Sequence, residues 1–303
     1  MAAVPQASAS PAMSDITIHV LVGSQYAGKV LAGLDSRSIP HKTVSVPLKP
    51  SSRKLPSGGL LSPEMTYRTS DGELVIVPDS SAILREIDEK WVAPSTGDKE
   101  VVVGGATPPP VLLDTSGDQV DGQKSASLAK FFPSPELRKL EREIDLKLNS
   151  YVMYYNWVNQ PTFEKTMLLR VMTIVPACVP CKRAIIMKKI APKRAQIRKD
   201  VAENLGKTDG ELNDELEIRK ELIAFLGELA ENSLIVDTPS KDTLNAAQCA
   251  VYSFLGRFIG EMGDACDRYP AALPEIESEA KLEPLFQWRR KVQKLVPLKF
   301  RKF

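Results

Sequence analysis

Two short segments place polar side chains where strand gives way to helix. Ser24 follows the β-branched run at residues 16–22 and precedes a helix-compatible stretch at 25–35. A hydroxyl there faces unpaired backbone N–H groups and the positive end of the helix dipole, so it can cap the helix or stabilise a bound thiolate. Without a neighbouring base it is no nucleophile itself. Asp79 and Ser80 stand the same way before residues 82–91, as an N-cap pair or as donors and a charge for a small polar ligand. Cys178 and Cys181 have the spacing of a redox pair or half a metal site, but no second pair or local histidine completes it. The two histidines, His19 and His41, fall on a strand and in a loop, so neither a Ser-His-Asp triad nor a metal site is expected.

These groups sit in a chain of 303 residues with 40 Lys+Arg against 38 Asp+Glu, a net charge of +2. No whole-molecule field recruits nucleic acid, and none is expected as a partner. At 43% hydrophobic and 26% charged residues the composition is globular, with length for about two domains. Four unevenly spaced cysteines fit an intracellular, reducing compartment. The longest apolar run, at 167–174, is interrupted by Arg170 and closed by Pro176, so no bilayer span is expected. Residues 1–14 are rich in Ala, Ser and Pro with no acid and no arginine, which leaves a mitochondrial and a cytoplasmic address both open.

The elements that position the polar groups read as strand (16–22), helix (25–35), strand (42–46), a Ser/Pro/Gly-rich loop, a hairpin (65–69 and 73–77) around Ser70-Asp71-Gly72, and a helix (82–91). That is a βαβ-ββα domain at residues 15–91, after a flexible segment at 1–14. Residues 92–133 turn to Gly, Pro, Ser, Asp and Lys and read as a linker or insertion, with one candidate strand at 100–103. Ser134-Pro135-Glu136 then supplies a cap, a first-turn proline and an acid. Leu137, Leu140, Ile144 and Leu148 keep helical spacing, and the stretches 151–159, 163–174, 181–205, 212–229 and 245–261 are helical, so residues 134–303 form an all-α domain.

This order resembles the glutathione transferases, in which a thioredoxin-like domain precedes an all-α domain. Ser24-Gln25-Tyr26-Ala27-Gly28-Lys29-Val30 is similar to the family's first turn, Ser62-Pro63-Glu64-Met65 to the segment carrying its cis-proline, and Pro78-Asp79-Ser80-Ser81-Ala82-Ile83 to its acid-Ser motif. Residues 245–255 and Pro284-Leu285-Phe286-Gln287-Trp288 resemble the membrane-associated prostaglandin E synthase type 2 branch. The resemblance implies a glutathione site, without metal, at Ser24, Tyr26, Ser62, Pro63, Asp79 and Ser80. Ser24 would assist the thiolate as the catalytic group. Ser62 would offer its backbone to the cysteinyl part across a cis peptide, and Asp79 with Ser80 would hold the γ-glutamyl ammonium and carboxylate. The branch's Cys-Pro-x-Cys is here Ser24-Gln25-Tyr26-Ala27, which removes both thiols.

Local basic surfaces complete the reading. Eight basic residues and no acid lie between Lys182 and Lys199, interleaved with Ile185, Ile186, Met187 and Ile190, and seven more with no acid follow Glu283. Such stretches suit a protein partner or an anionic membrane. The expectation is a transferase-fold protein with a degenerate glutathione site, acting as an accessory subunit of a membrane-associated assembly and docking through 92–133, 182–199 and 284–303. The alternative is a glutathione-dependent transferase or isomerase using Ser24.

Overall fold

A computed structural model describes residues 16–47, 54–59, 61–91, 129–174, 181–240, 242–262 and 271–298. The candidate strand at 100–103, Cys178 and the last five residues of the tail lie outside the described residues.

β1 (Thr17–Val20) leads through a turn into α1 (Gln25–Ser36), and β2 (Lys42–Ser45) returns parallel to β1, pairing Thr17 with Lys42. β3 (Glu64–Arg68) and β4 (Leu74–Pro78) form an antiparallel hairpin, and α2 (Ser80–Lys90) follows. β3 also pairs antiparallel with β1, Ile18 opposite Met65, so the sheet runs β2-β1-β3-β4. Alternation buries Ile16, Ile18 and Val20 with Met65 from the adjacent strand, while Val30, Leu31, Leu34, Ile83, Leu84 and Ile87 supply the helical layer. This is the thioredoxin-like βαβ-ββα arrangement, and the Ser62–Pro63 peptide bond is cis.

The second domain is helical. α3 (Pro135–Met153) starts as its sequence dictates, with Ser134 Oγ accepting the Leu137 N–H at 3.2 Å and Pro135 in the first turn. Its buried stripe differs from the expected one. Leu140 is only half-buried, and Glu141 takes the inward position between Leu137 and Ile144. Two π-helical turns, Tyr154–Val158 and Glu164–Leu168, flank the short α4 (Gln160–Phe163) before α5 (Leu169–Ile174) and α6 (Lys182–Leu205). α7 (Glu215–Glu231), α8 (Ser233–Val236), α9 (Ala246–Ile259) and α10 (Glu283–Leu295) complete the domain. α9 is buried along nearly its whole length. Its Asn245/Gln248 variant of the capping box forms fully: Gln248 N–H donates to Asn245 Oδ1 at 2.8 Å and Asn245 N–H to Gln248 Oε1 at 3.0 Å.

The two domains meet chiefly where α1 crosses α9. Ser253 Oγ on α9 donates to the Gln25 carbonyl at 2.7 Å, and the backbones come this close because residue 28 is glycine. A Cβ there would lie 2.1 Å from Ser253 Oγ. A second clamp joins α2 to the chain entering α3. The Asp88 carboxylate accepts the N–H groups of Phe131 and Phe132 at 2.8 and 3.0 Å, Arg37 donates to the Ala129 carbonyl, and its guanidinium lies 3.3 Å from the centre of the Phe131 ring. The α1–α9 crossing is the more demanding of the two. Gly28→Ala is expected to lower stability by about 1–3 kcal/mol through overpacking, measured by urea denaturation, with Gly28→Ala/Ser253→Ala recovering part of the loss.

Candidate functional site

The site grows from a buried cation. Lys29 sits on the face of α1 that meets α3, and its side chain is fully buried. Its Nζ donates to Glu141 Oε1, to Asp145 Oδ2 at 2.6 Å and to Ser81 Oγ at 3.0 Å, and Ser81 Oγ in turn donates to Glu141 Oε1. Glu141 and Asp145 are one helical turn apart on α3, which brings both carboxylates to one ammonium. Burial disfavours the charge on Lys29, but Asp145 and Glu141 outweigh it and hold its pKa above the ordinary lysine value. Burial pushes Asp145 up to about 7, with Glu141 adding to the rise and Lys29 opposing it. The trio thus carries one more acid than base, and Asp145 Oδ1 is buried without a hydrogen-bond partner.

Asp145 also belongs to the wall of a groove of about 710 Å³ between the domains. It is lined by Tyr26, Ser62, Pro63, Asp79 and Ser80 from the first domain and by Arg142, Leu146 and Asn149 on α3. Asp79 has φ of +76°, sparsely populated for a residue with a Cβ, and its Oδ1 accepts the N–H groups of Ser81 and Ala82 at 2.9 and 3.1 Å. Ser80, the first residue of α2, is 1% exposed, and its hydroxyl has no partner. Arg142 at the rim is exposed and makes no ion pair among the described residues. Tyr26 packs edge-on against Phe254, ring centres 5.7 Å apart. Burial, with Asp145, Asp79 and Glu141 nearby, raises its pKa, so the phenol stays protonated and serves as a donor.

Five of the six residues singled out in the sequence, Tyr26, Ser62, Pro63, Asp79 and Ser80, therefore line one groove, and Ser24 does not line it. The Ser24 hydroxyl instead caps α1, accepting the Ala27 N–H at 3.5 Å. Ser62 keeps only its backbone for a ligand, because its hydroxyl donates to the His19 carbonyl at 3.0 Å and accepts the Leu21 N–H at 2.8 Å. His19 Nε2 lies 3.2 Å from Thr66 Oγ1 on β3, and burial lowers its pKa. Among the described residues no group of three His, Cys, Asp or Glu side chains could hold a metal ion. Cys181 is exposed, while burial pushes the Cys249 thiol up to about 11, which makes it unreactive. Lys29 and Ser81 stand within sequence motifs that give them no role, and Glu141, Arg142 and Asp145 lie in no motif. The acid at 141 within an otherwise apolar stripe was the available signal.

No protein-family model matches the chain, and no curated protein matches it in sequence. Among solved structures it is similar to glutaredoxin 2 of Salmonella typhimurium in complex with glutathione, at 12% identity and a TM-score of 0.42 over 94% of this chain and 95% of that one. FzlA from C. crescentus gives 12% identity and 0.47 over 92% and 88%. Glutathione transferase GSTFuA3 from Phanerochaete chrysosporium gives 13% and 0.45 over 95% and 99%. The chain's own strand order, cis Ser62–Pro63 bond and succession of helices carry the fold assignment. The architecture is a thioredoxin-like domain followed by an all-α domain.

Removing the cation strands two buried carboxylates. Lys29→Met is expected to cost about 3–5 kcal/mol at neutral pH, read by chemical denaturation, and less as the pH falls and the acids protonate. In the wild type, Asp145 has a folded pKa above its ordinary 3.8, so the native state binds more protons than the unfolded one between about 4 and 7. Its contribution to stability is fully present below that window and lost as pH rises through it. Asp145→Asn is expected to flatten that slope in a denaturation series across pH.

Proposed function

We propose that the groove binds glutathione or a related γ-glutamyl peptide, and that the protein does so without turnover, as an accessory subunit of transferase fold. The observation that carries this reading is a pair of buried polar atoms without partners, Ser80 Oγ and Asp145 Oδ1, in the wall of one groove beside the Ser62–Pro63 backbone. Unpaired buried polar atoms cost free energy that a ligand with matching groups recovers. An α-amino-acid end matches them. Its carboxylate would take the Ser80 hydroxyl, with Arg142 as countercharge, and its ammonium would take Asp145 and the second oxygen of Asp79. The extended remainder of the peptide would lie along Ser62 beside the Tyr26 hydroxyl.

Turnover needs a group that activates the thiol. The Ser24 hydroxyl caps α1 and does not line the groove, and the turn Ser24-Gln25-Tyr26-Ala27 contains no cysteine. These features favour binding over catalysis. They also set the reading apart from the thiol chemistry of the prostaglandin E synthase type 2 branch.

Calorimetric titration with glutathione tests the proposal. The expected result is a micromolar to low-millimolar Kd, weakened about 10- to 100-fold by Ser80→Ala, the cost of one hydrogen bond to a charged group. Ser24→Ala is expected to leave Kd unchanged, and no conjugation to a chloronitrobenzene should be detectable. Turnover that Ser24→Ala abolishes would establish the transferase alternative instead. No heat from folded protein would remove glutathione as the ligand.

A further inference from the structure

Charge is distributed unevenly along this chain. Residues 160–199 contain ten basic residues and a single acid, Glu164, a local charge of +9 in a chain of +2 overall, which leaves −7 for everything else. These residues comprise α4, α5 and the first three quarters of α6, and they have a small core of their own, in which Phe163, Leu168 and Ile186 are buried with Trp157, Met167, Val171, Met187 and Ile190 packed against them. Arg194 locks this unit to the end of the preceding π-helical turn, donating to the Trp157 carbonyl at 2.8 Å with its guanidinium 3.9 Å from the Phe163 ring centre.

The two kinds of cation on α6 are used differently. All three arginines work within the molecule: Arg183 on Glu164, Arg194 on Trp157 and Gln160, Arg198 on Asp209 and Asn213. Lys188, Lys189, Lys193 and Lys199 are exposed, and none makes an ion pair among the described residues. The 3.6-residue period places Ile185, Lys188, Lys189, Pro192 and Lys199 on the outward side of α6, opposite the buried Ile186, Ile197 and Val201. Ile185 is 41% exposed within this lysine field, and Leu169, on α5, which packs against α6, is 56% exposed.

We propose that this outward face of α6 docks the protein on an anionic phospholipid surface. An acidic protein partner would be met by arginine forks in fixed geometry, whereas unpaired lysines on flexible stems suit a diffuse sheet of negative charge. The exposed Ile185 among them suits the headgroup boundary rather than water. In α10, as in α6, the arginines are committed within the molecule: Arg289 is 1% exposed and bonded to Glu261, and Arg290 pairs with Glu277 and Glu283.

Sedimentation of the full chain with vesicles tests the proposal. Binding is expected to vesicles of phosphatidylcholine containing about 30% phosphatidylserine, to be absent with phosphatidylcholine alone, and to fall as salt rises above about 0.1 M. Lys188→Gln/Lys189→Gln/Lys199→Gln alters only exposed, unpaired side chains of that face, and is expected to lower the partition coefficient about 100-fold with the circular dichroism unchanged. Ile185→Ser is expected to lower it about tenfold. Equal binding to both vesicle types, or binding that the triple variant leaves intact, overturns the proposal. So does failure to bind anionic vesicles, and retention on immobilised polyglutamate in that case reassigns the face to an acidic protein.

Discussion

An ammonium can be buried only where anions are buried with it, and Lys29 forces such a meeting between two domains. Glu141 and Asp145 reach it from α3, Ser81 from the first turn of α2, and Lys29 itself from α1. Three helices are thereby fixed at one point, and that point is the wall of the groove. Ser81 cannot take its place unless Asp79 caps α2, which requires the positive φ at Asp79. Asp145 cannot reach Lys29 unless α3 turns its Glu141 face inward. The groove is therefore a by-product of satisfying one charge, and the oxygen left over on Asp145 is what makes that wall chemically interesting.

The surplus of one acid over one base sets the character of the site. A neutral buried pair would be inert, whereas two carboxylates sharing one ammonium leave a site that accepts either a proton or a ligand cation. Ser80, one residue from the cluster member Ser81, supplies the complementary feature, a buried donor at a helix N-terminus. Cation and anion preferences thus lie within one groove, which favours zwitterionic ligands over simple ions.

Much of the thioredoxin-like half was readable from residue order. The β-branched run at 16–22, the Ser70-Asp71-Gly72 turn and the Asp79 cap are local signals, and local signals survive folding because turn and cap chemistry depends on near neighbours. α10 was harder, because its Trp288, Arg289 and Arg290 look in sequence like a cationic aromatic tail. Only tertiary packing shows that Trp288 and Arg289 are buried, Arg289 against Glu261, and that the exposed Arg290 pairs with Glu277 and Glu283. The polar site divided the same way. Tyr26, Ser62, Pro63, Asp79 and Ser80 were legible from motif and cap geometry, while Asp145 and Lys29 meet across 116 positions and nothing in the spacing announces it. At Ser24 the sequence leaves two readings open, because a capping hydroxyl and a catalytic hydroxyl occupy the same place at a helix N-terminus, and the structure shows the cap.

The clamp at Asp88 has a consequence for how this chain can change. α2 ends at Lys90, and the Asp88 carboxylate on that helix holds the N–H groups of Phe131 and Phe132, so the two ends of the intervening segment are tied to a single helix terminus. Where two points of a chain are pinned together by such contacts, the entropic cost of the length between them grows only logarithmically. The register between the domains is carried by Asp88, Arg37 and Phe131 rather than by the length of what connects them. Residues 92–128 are thus a position where insertions and deletions can accumulate over evolution while the groove retains its shape.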